Sequence, residues 1–364
     1  MISVLVLVQG YPDLDGSKNM MYVHMRNLYY VENDIDVTVL NFSNQHDYIV
    51  NGIQVISLKS YCKSQKNFDI LILHAANIRN HYRFLKKYGH KFPKFIFFYH
   101  GHEVMKINQE YSKPYEYVKR NKFKIIGQNI YDDFKLILWK YYLMKNIDKS
   151  YFIFVSKWMR EVFLNNTKLD PQLIDKKYSV IYNSVGKVFE NAMYDDSSYK
   201  KYDFITIRSN LDGSKYAIDL INQFAKNSPH CKFLVIGKGV FFDYYERSEN
   251  IDWLNRTMTH EEIIQALQSA RFALMPTRTD AQGVMMCEMA AFGIPVITSD
   301  IPICHEIFDG FNNVFFINND NVNQVLDEYK KIESKRKKDT RFSAEHTMNY
   351  EIKILMSFEE DLKC

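Results

Sequence analysis

Phe272-Ala-Leu-Met275 runs into Pro276-Thr-Arg-Thr-Asp280-Ala-Gln-Gly283, then Val284-Met-Met-Cys-Glu288-Met-Ala-Ala-Phe292, then Gly293-Ile-Pro295-Val-Ile-Thr298. A short β-rich run, a polar turn, a mostly apolar helix and a second β-rich run after Gly and Pro make one strand–helix–strand unit. Such units join parallel strands. Working outward, the same alternation gives strand candidates at Phe204–Arg208, Lys232–Ile236, Ile251–Leu254 and Val314–Ile317. Helices are expected between them at 216–226, 259–270 and 284–292. Thr259 and Glu262 have the spacing of a capping box.

The same pattern occupies the first half. Strands are expected at Ser3–Val8, Asp36–Leu40, Gln54–Leu58, Asp69–Leu73, Lys94–Tyr99 and Tyr151–Val155, with helices at 20–31 and 77–88. Several of these strands are almost wholly apolar, as parallel strands covered on both faces are. The reading is α/β: two doubly wound, Rossmann-like domains. The first would cover 1–185, joined by a C-terminal helix at about 344–364, and the second 186–343. A chain of 364 residues is long enough for two such cores.

Composition narrows the class. The chain is 46% hydrophobic and 25% charged, which excludes disordered and fibrous proteins. Five dispersed cysteines without a CxxC pair argue against a disulfide framework or structural zinc and fit a reducing compartment. The opening MISVLVLVQG lacks the basic region and length of a signal peptide, and no stretch reaches membrane-span length. A soluble intracellular protein is expected. Residues 1–185 hold 26 basic and 16 acidic side chains, whereas the remainder holds 21 and 27. The basic excess gathers at 79–94 and 113–149, where Lys and Arg interleave with Tyr, Phe and Trp. Two readings stay open: a solvated helix face whose lysines snorkel, or a surface that docks on an anionic membrane. Nucleic-acid binding lacks its fold signatures.

In doubly wound sheets ligands bind beyond the carboxyl ends of the strands. Four loops there carry chemistry. The helix opening at Gly283 offers free amides and a positive dipole end to phosphate or sugar oxygens, and Gly283 permits close approach. Glu288 sits inside that apolar helix and needs a partner, either a hydroxyl-rich ligand such as a ribose or a structural Arg or amide. Arg208-Ser-Asn-Leu-Asp-Gly-Ser-Lys215 places two cations where they would clamp a diphosphate. Leu234-Val-Ile-Gly237-Lys-Gly239 is a strand running into two glycines, as close ligand approach or a tight turn requires. In the first domain, Gly10-Tyr-Pro-Asp-Leu-Asp-Gly16-Ser-Lys follows the first strand without GxGxxG, so no dinucleotide fingerprint is present. His100-Gly-His102-Glu103 follows Phe95–Tyr99; His100 is a turn residue or a site residue, and His74 has the same ambiguity. HExxH, GxSxG, P-loop and kinase patterns are absent.

Taken together these loops resemble the retaining GT-B glycosyltransferases of glycosyltransferase family 4. Asp280 to Pro295 is similar to that family's E-x-F-G-x-x-x-x-E-A-M-A-x-G-x-P-V, with Asp280 and Glu288 at its two acidic positions. Arg208 and Lys215 resemble its diphosphate pair. Ser156 and Val180-Ile-Tyr-Asn183-Ser-Val185 resemble its segments before the interdomain linker. Gly10 to His24 resembles its acceptor-side glycine loop and helix, and His100 its acceptor-side histidine. The chain departs in having Asp for the first Glu, Gln282 for Phe, Ile207 where Gly precedes the Arg, a longer Arg-to-Lys interval, and Gly16-Ser17 for paired glycines.

The resemblance implies a GT-B fold with the two domains facing across a cleft, and a metal-independent, retaining sugar transfer without a cofactor. A nucleotide-sugar, UDP-linked, would be the donor and a polyprenyl-linked or other glycan the acceptor, in capsule, O-antigen or exopolysaccharide assembly. Arg208 and Lys215 would neutralise the leaving diphosphate, and Glu288 would bond the ribose. Asp280 would meet the donor sugar, held with Gly16, Gly237, Gly283, Val284 and Met285. His100 would serve the acceptor side. The protein would be cytoplasmic, resting on the inner face of the cell membrane through its basic first domain. The other readings are a nucleotide-sugar 2-epimerase of the same fold and a catalytically silent nucleotide-binding scaffold.

Overall fold

A computed structural model describes residues 2–13, 19–327, 329 and 339–363, the last three of these as backbone only. Gly16 lies outside the described residues. The chain divides into two compact units: residues 1–107, 128–184 and 344–364 form the first, and residues 108–127 and 185–343 the second. The segment 108–127, expected in the first domain, therefore packs with the second.

The first unit is built on eight strands: β1 (Ser3–Val8), β2 (Asp36–Asn41), β3 (Tyr48–Val50), β4 (Ile53–Ile56), β5 (Ile70–His74), β6 (Lys94–Tyr99), β7 (Ser150–Phe154) and β8 (Tyr178–Val180). Their order is β3-β4-β2-β1-β5-β6-β7-β8, parallel throughout except for the β3–β4 hairpin. The chain starts in the middle at β1, builds outward through β2 to β4, then crosses back to β5. The switch point thus lies between β1 and β5. The two strands the sequence pattern missed, β3 and β8, are three residues each, too short to show a period.

The helix Ala344–Lys363 belongs to this unit. Glu351 accepts from Arg26 Nε at 2.9 Å and from the Tyr30 hydroxyl, and both ends of the Arg26–Glu351 pair are buried. Tyr29 adds a hydrogen bond to Asn349. A buried ion pair separated by 325 residues fixes the last helix onto Met21–Glu32, beside the core of Val4, Val6, Ile72 and Ile96.

Six strands make the second sheet: β9 (Tyr202–Asn210), β10 (Phe233–Lys238), β11 (Ile251–Leu254), β12 (Ala270–Met275), β13 (Val296–Ser299) and β14 (Val314–Ile317). All are parallel, in the order β11-β10-β9-β12-β13-β14. Counted from β9 this is the 3-2-1-4-5-6 winding of a Rossmann sheet, whose switch point falls between β9 and β12. Thr259 and Glu262 form the expected capping box. The sheet buries Phe204, Phe233, Phe272 and Ile297 against Ile218, Ile221 and Phe224 of the helix Ile218–Asn227. A register shift in β10 passes through Gly237, where a Cβ would stand 2.3 Å from the Arg208 carbonyl oxygen. Gly237 therefore has a packing reason of its own: it lets β10 close on the end of β9.

Candidate active site

The switch point of the second sheet gathers the polar residues of two loops. Arg208 closes the buried part of β9 at 6% exposure, and its Nη2 donates to the Pro276 carbonyl at 2.7 Å. Its Nε is buried with no acceptor among the described residues. Burial lowers the pKa of this guanidinium, and the Asp280 carboxylate pulls it back up. The following turn brings Lys215 to the loop after β12: the Lys215 carbonyl accepts from Arg278 N at 2.8 Å and Thr277 Oγ1 at 3.1 Å. Desolvation works against the Lys215 ammonium, yet Asp280, Tyr216 and Tyr111 outweigh it and its pKa rises. Both cations thus feel one carboxylate, and both lie over the Tyr216 ring, at 4.8 and 4.7 Å.

The loop itself is braced from three sides. Arg278 grips Asp219 with both terminal guanidinium nitrogens, at 2.9 and 2.6 Å, and donates to the Ser214 carbonyl. Tyr115, from the segment 108–127, donates to Asp219 and accepts from the Ile218 amide. Ser112 bonds Ser214. Tyr216, Arg278 and Tyr115 escaped the sequence reading. Nothing local marks Tyr115, because its partners are over 100 residues away; an aromatic next to Lys215 was the one available hint.

Asp280 Oδ1 accepts from the amides of Ala281 at 2.8 Å and Gln282 at 3.4 Å, a turn that delivers the chain into the helix Val284–Phe292. Gly283, at φ +74°, caps it in the left-handed region that favours glycine. As the first helical residues, Val284 and Met285 have amides with no intrahelical acceptor. One turn on, Glu288 is 7% exposed and meets no donor or cation among the described residues. Burial pushes its carboxyl up to about 8. The structural alternatives for Glu288, an Arg or a backbone amide, are thus not realised among the described residues.

The first unit presents a different set at the carboxyl ends of β5 and β6, next to its own switch point. His74 ends β5 and His100 follows β6, and His74 Nδ1 and His100 Nε2 are 3.1 Å apart. The His100 and Gly101 amides donate to Glu103, which holds the turn, while the Tyr22 ring packs edge-on against His100 at 4.7 Å. Desolvation keeps both imidazoles well below their ordinary pKa, so one donates and the other accepts as neutral rings. His74 Nε2 is buried and finds no hydrogen-bond partner among the described residues. Ser156, singled out by the resemblance, caps the helix Lys157–Thr167 through the Met159 amide. Among the described residues no group of three His, Cys, Asp or Glu is placed to hold a metal ion.

Residues 190–347 match the family model described as Glycosyl transferases group 1. The O-antigen biosynthesis glycosyltransferase WclY of Escherichia coli is 30% identical over 111 residues, covering 28% of this chain and 30% of that relative. The match therefore spans under a third of WclY. Sucrose-phosphate synthase from Thermosynechococcus elongatus superposes with a TM-score of 0.74 over 99% of this chain and all of that one, at 11% identity. HepE from Anabaena, solved with UDP and glucose, superposes at 0.61 over 100% and 98%, also at 11%. The chain has the two-sheet α/β fold of the GT-B glycosyltransferases, and its residues 190–347, which carry Arg208, Lys215, Asp280 and Glu288, are the part that matches the group 1 glycosyl transferase model.

Proposed function

We propose that this chain is a retaining, metal-independent glycosyltransferase of the family 4 type. It transfers a sugar from a nucleotide-sugar, UDP-linked, to a polyprenyl-linked or other glycan acceptor. The role belongs to bacterial O-antigen, capsule or exopolysaccharide assembly at the inner face of the membrane. The relationship to an O-antigen glycosyltransferase supports the acceptor class. The observation that carries the reading is the Arg208–Lys215 pair sharing Asp280, with a buried carboxyl, Glu288, in the helix that follows and no partner for it among the described residues.

Arg208 and Lys215 supply two fixed positive charges where the diphosphate leaves, so the charge that grows on its oxygens is met without a bound cation. Val284 and Met285 donate amide hydrogens to donor oxygens, and Asp280 accepts from a sugar hydroxyl. Glu288 accepts from the ribose hydroxyls, which supply the partner it lacks. The anomeric C–O bond to the diphosphate breaks as the acceptor hydroxyl adds from the same face. The acceptor's proton passes to the departing phosphate oxygen. Rate enhancement then comes from positioning and preorganised charge. His100, a neutral imidazole, is assigned to the acceptor side, together with the loop that bears Gly16.

Thermal shift against UDP-, GDP-, ADP- and dTDP-sugars, with EDTA present, tests the donor. One EDTA-insensitive stabiliser is expected. A shift that EDTA abolishes would refute metal independence. Stabilisation followed by sugar isomerisation without an acceptor would favour the epimerase.

A further inference from the structure

The helix Lys122–Lys145 is apolar on both faces. Leu136, Trp139, Tyr142 and Leu143 are buried, whereas Ile130, Phe134, Ile137, Tyr141 and Met144 are exposed, Ile130 at 66% and Tyr141 at 67%. Spacings of four, three, four and three residues set these five along one stripe. An unbroken apolar stripe in water marks a surface that something covers. Within the first unit its rim is basic: Lys140 and Lys145 lie on the same helix, and its exposed carboxylate, Asp133, is paired with Lys106 at 2.6 Å.

At the C-terminal end of the stripe a cavity of about 340 Å³ opens against the segment 82–90. Tyr141, itself part of the stripe, lines it together with Lys86, His90, Lys145 and Lys149, and no carboxylate lines it among the described residues. Lys149 is committed to the fold, donating to the Gly89 and Phe92 carbonyls over the Phe95 ring. Lys86, His90 and Lys145 are exposed, and none forms an ion pair among the described residues.

We propose that this face of the first unit docks on an anionic lipid bilayer. The Ile130-to-Met144 stripe enters the boundary between headgroups and acyl chains, and the basic cavity takes a lipid phosphate. A second copy of the chain is the poorer occupant, because pairing two such stripes brings two lysine rims together. This inference deepens the membrane part of the proposed function and does not depend on its transfer chemistry.

Co-sedimentation of the full chain with phosphatidylcholine vesicles, and with vesicles containing one third phosphatidylglycerol, tests it at low and high salt. Binding to the anionic vesicles, weakened by salt, is expected. Phe134→Ser with Ile137→Ser should weaken it tenfold or more. Lys86→Gln and Lys145→Gln should each weaken it about fivefold and reduce the salt dependence. All four side chains are exposed, and an unchanged melting temperature confirms each variant's fold. The proposal is overturned by no binding, by equal binding to neutral vesicles, or by stripe variants that bind as wild type. A wild-type dimer that becomes a monomer in the stripe variant, without vesicle binding, would give the face to a second copy and also overturn it. Donor-induced thermal shift on the same preparations separates the two readings: a donor response without vesicle binding removes this inference alone, and the reverse removes the transferase.

Discussion

The two sheets use equivalent positions for opposite electrostatics. Residues 186–364 carry more acid than base, yet the switch point of their sheet encloses Arg208 and Lys215. Residues 1–185 carry ten more bases than acids, yet the ends of β5 and β6 enclose two uncharged imidazoles, and the buried cation near them, Arg26, is paired with Glu351. The net charge of a region therefore does not report the charge of its site. Burial decides it: a desolvated histidine sheds its proton, while a desolvated arginine keeps its own and needs an anion.

The largest expected effect would break the first unit. Glu351→Ala leaves Arg26 charged and buried without its partner, and should lower stability by about 3–5 kcal/mol in denaturant melts. A loss under about 1 kcal/mol would mean that the last helix is not held by this pair.

Next comes the charge of the second unit. Lys215→Ala should lower kcat by about 10²–10³-fold with the melting temperature nearly kept, since its side chain makes no buried hydrogen bond to another element. Full turnover in this variant would remove Lys215 from the diphosphate clamp.

Glu288 sharpens the contrast through pH. Its carboxyl titrates near 8 in the folded chain against 4.5 unfolded, so the folded state binds the extra proton and stability falls as pH rises from 4.5 to 8. Glu288→Gln should melt like wild type at pH 5 and several degrees higher at pH 8.5, while losing donor-induced stabilisation. Equal melting at both values would show that the carboxyl has a partner.

The smallest effect lies on the histidines. Held below 6.5, they leave the unfolded chain binding more protons as pH falls, so stability drops below pH 6.5. His74→Phe, which keeps the stack on Phe98 at 4.2 Å, should flatten that acid limb by about 1 kcal/mol. An unchanged limb would place the acid sensitivity elsewhere.

Much of the site was readable because its residues are local to one strand–turn–helix unit. Met275 to Gly293 has a strand period, a glycine at a positive φ and a helix in sequence, and each leaves a mark within about four residues. Likewise, Arg208 at a strand end announced itself. The histidine pair did not: His74 and His100 lie 26 residues apart on strands whose adjacency only the sheet order supplies. Gly237 was read as a close ligand approach or a tight turn, and the Arg208 carbonyl that its missing Cβ makes room for lies 29 residues away, beyond any local pattern.

By itself the sequence determined the alternation of strand and helix, the two parallel sheets and the loops that bear charge, because hydrophobic period and turn chemistry act over a few residues. The tertiary structure alone decided which charges share a carboxylate, that Glu288 meets no partner among the described residues, that segment 108–127 braces the Lys215 turn, and which face of Lys122–Lys145 is left to solvent. Those outcomes depend on packing between elements far apart in the chain, where burial sets both the neighbours and the protonation of each group.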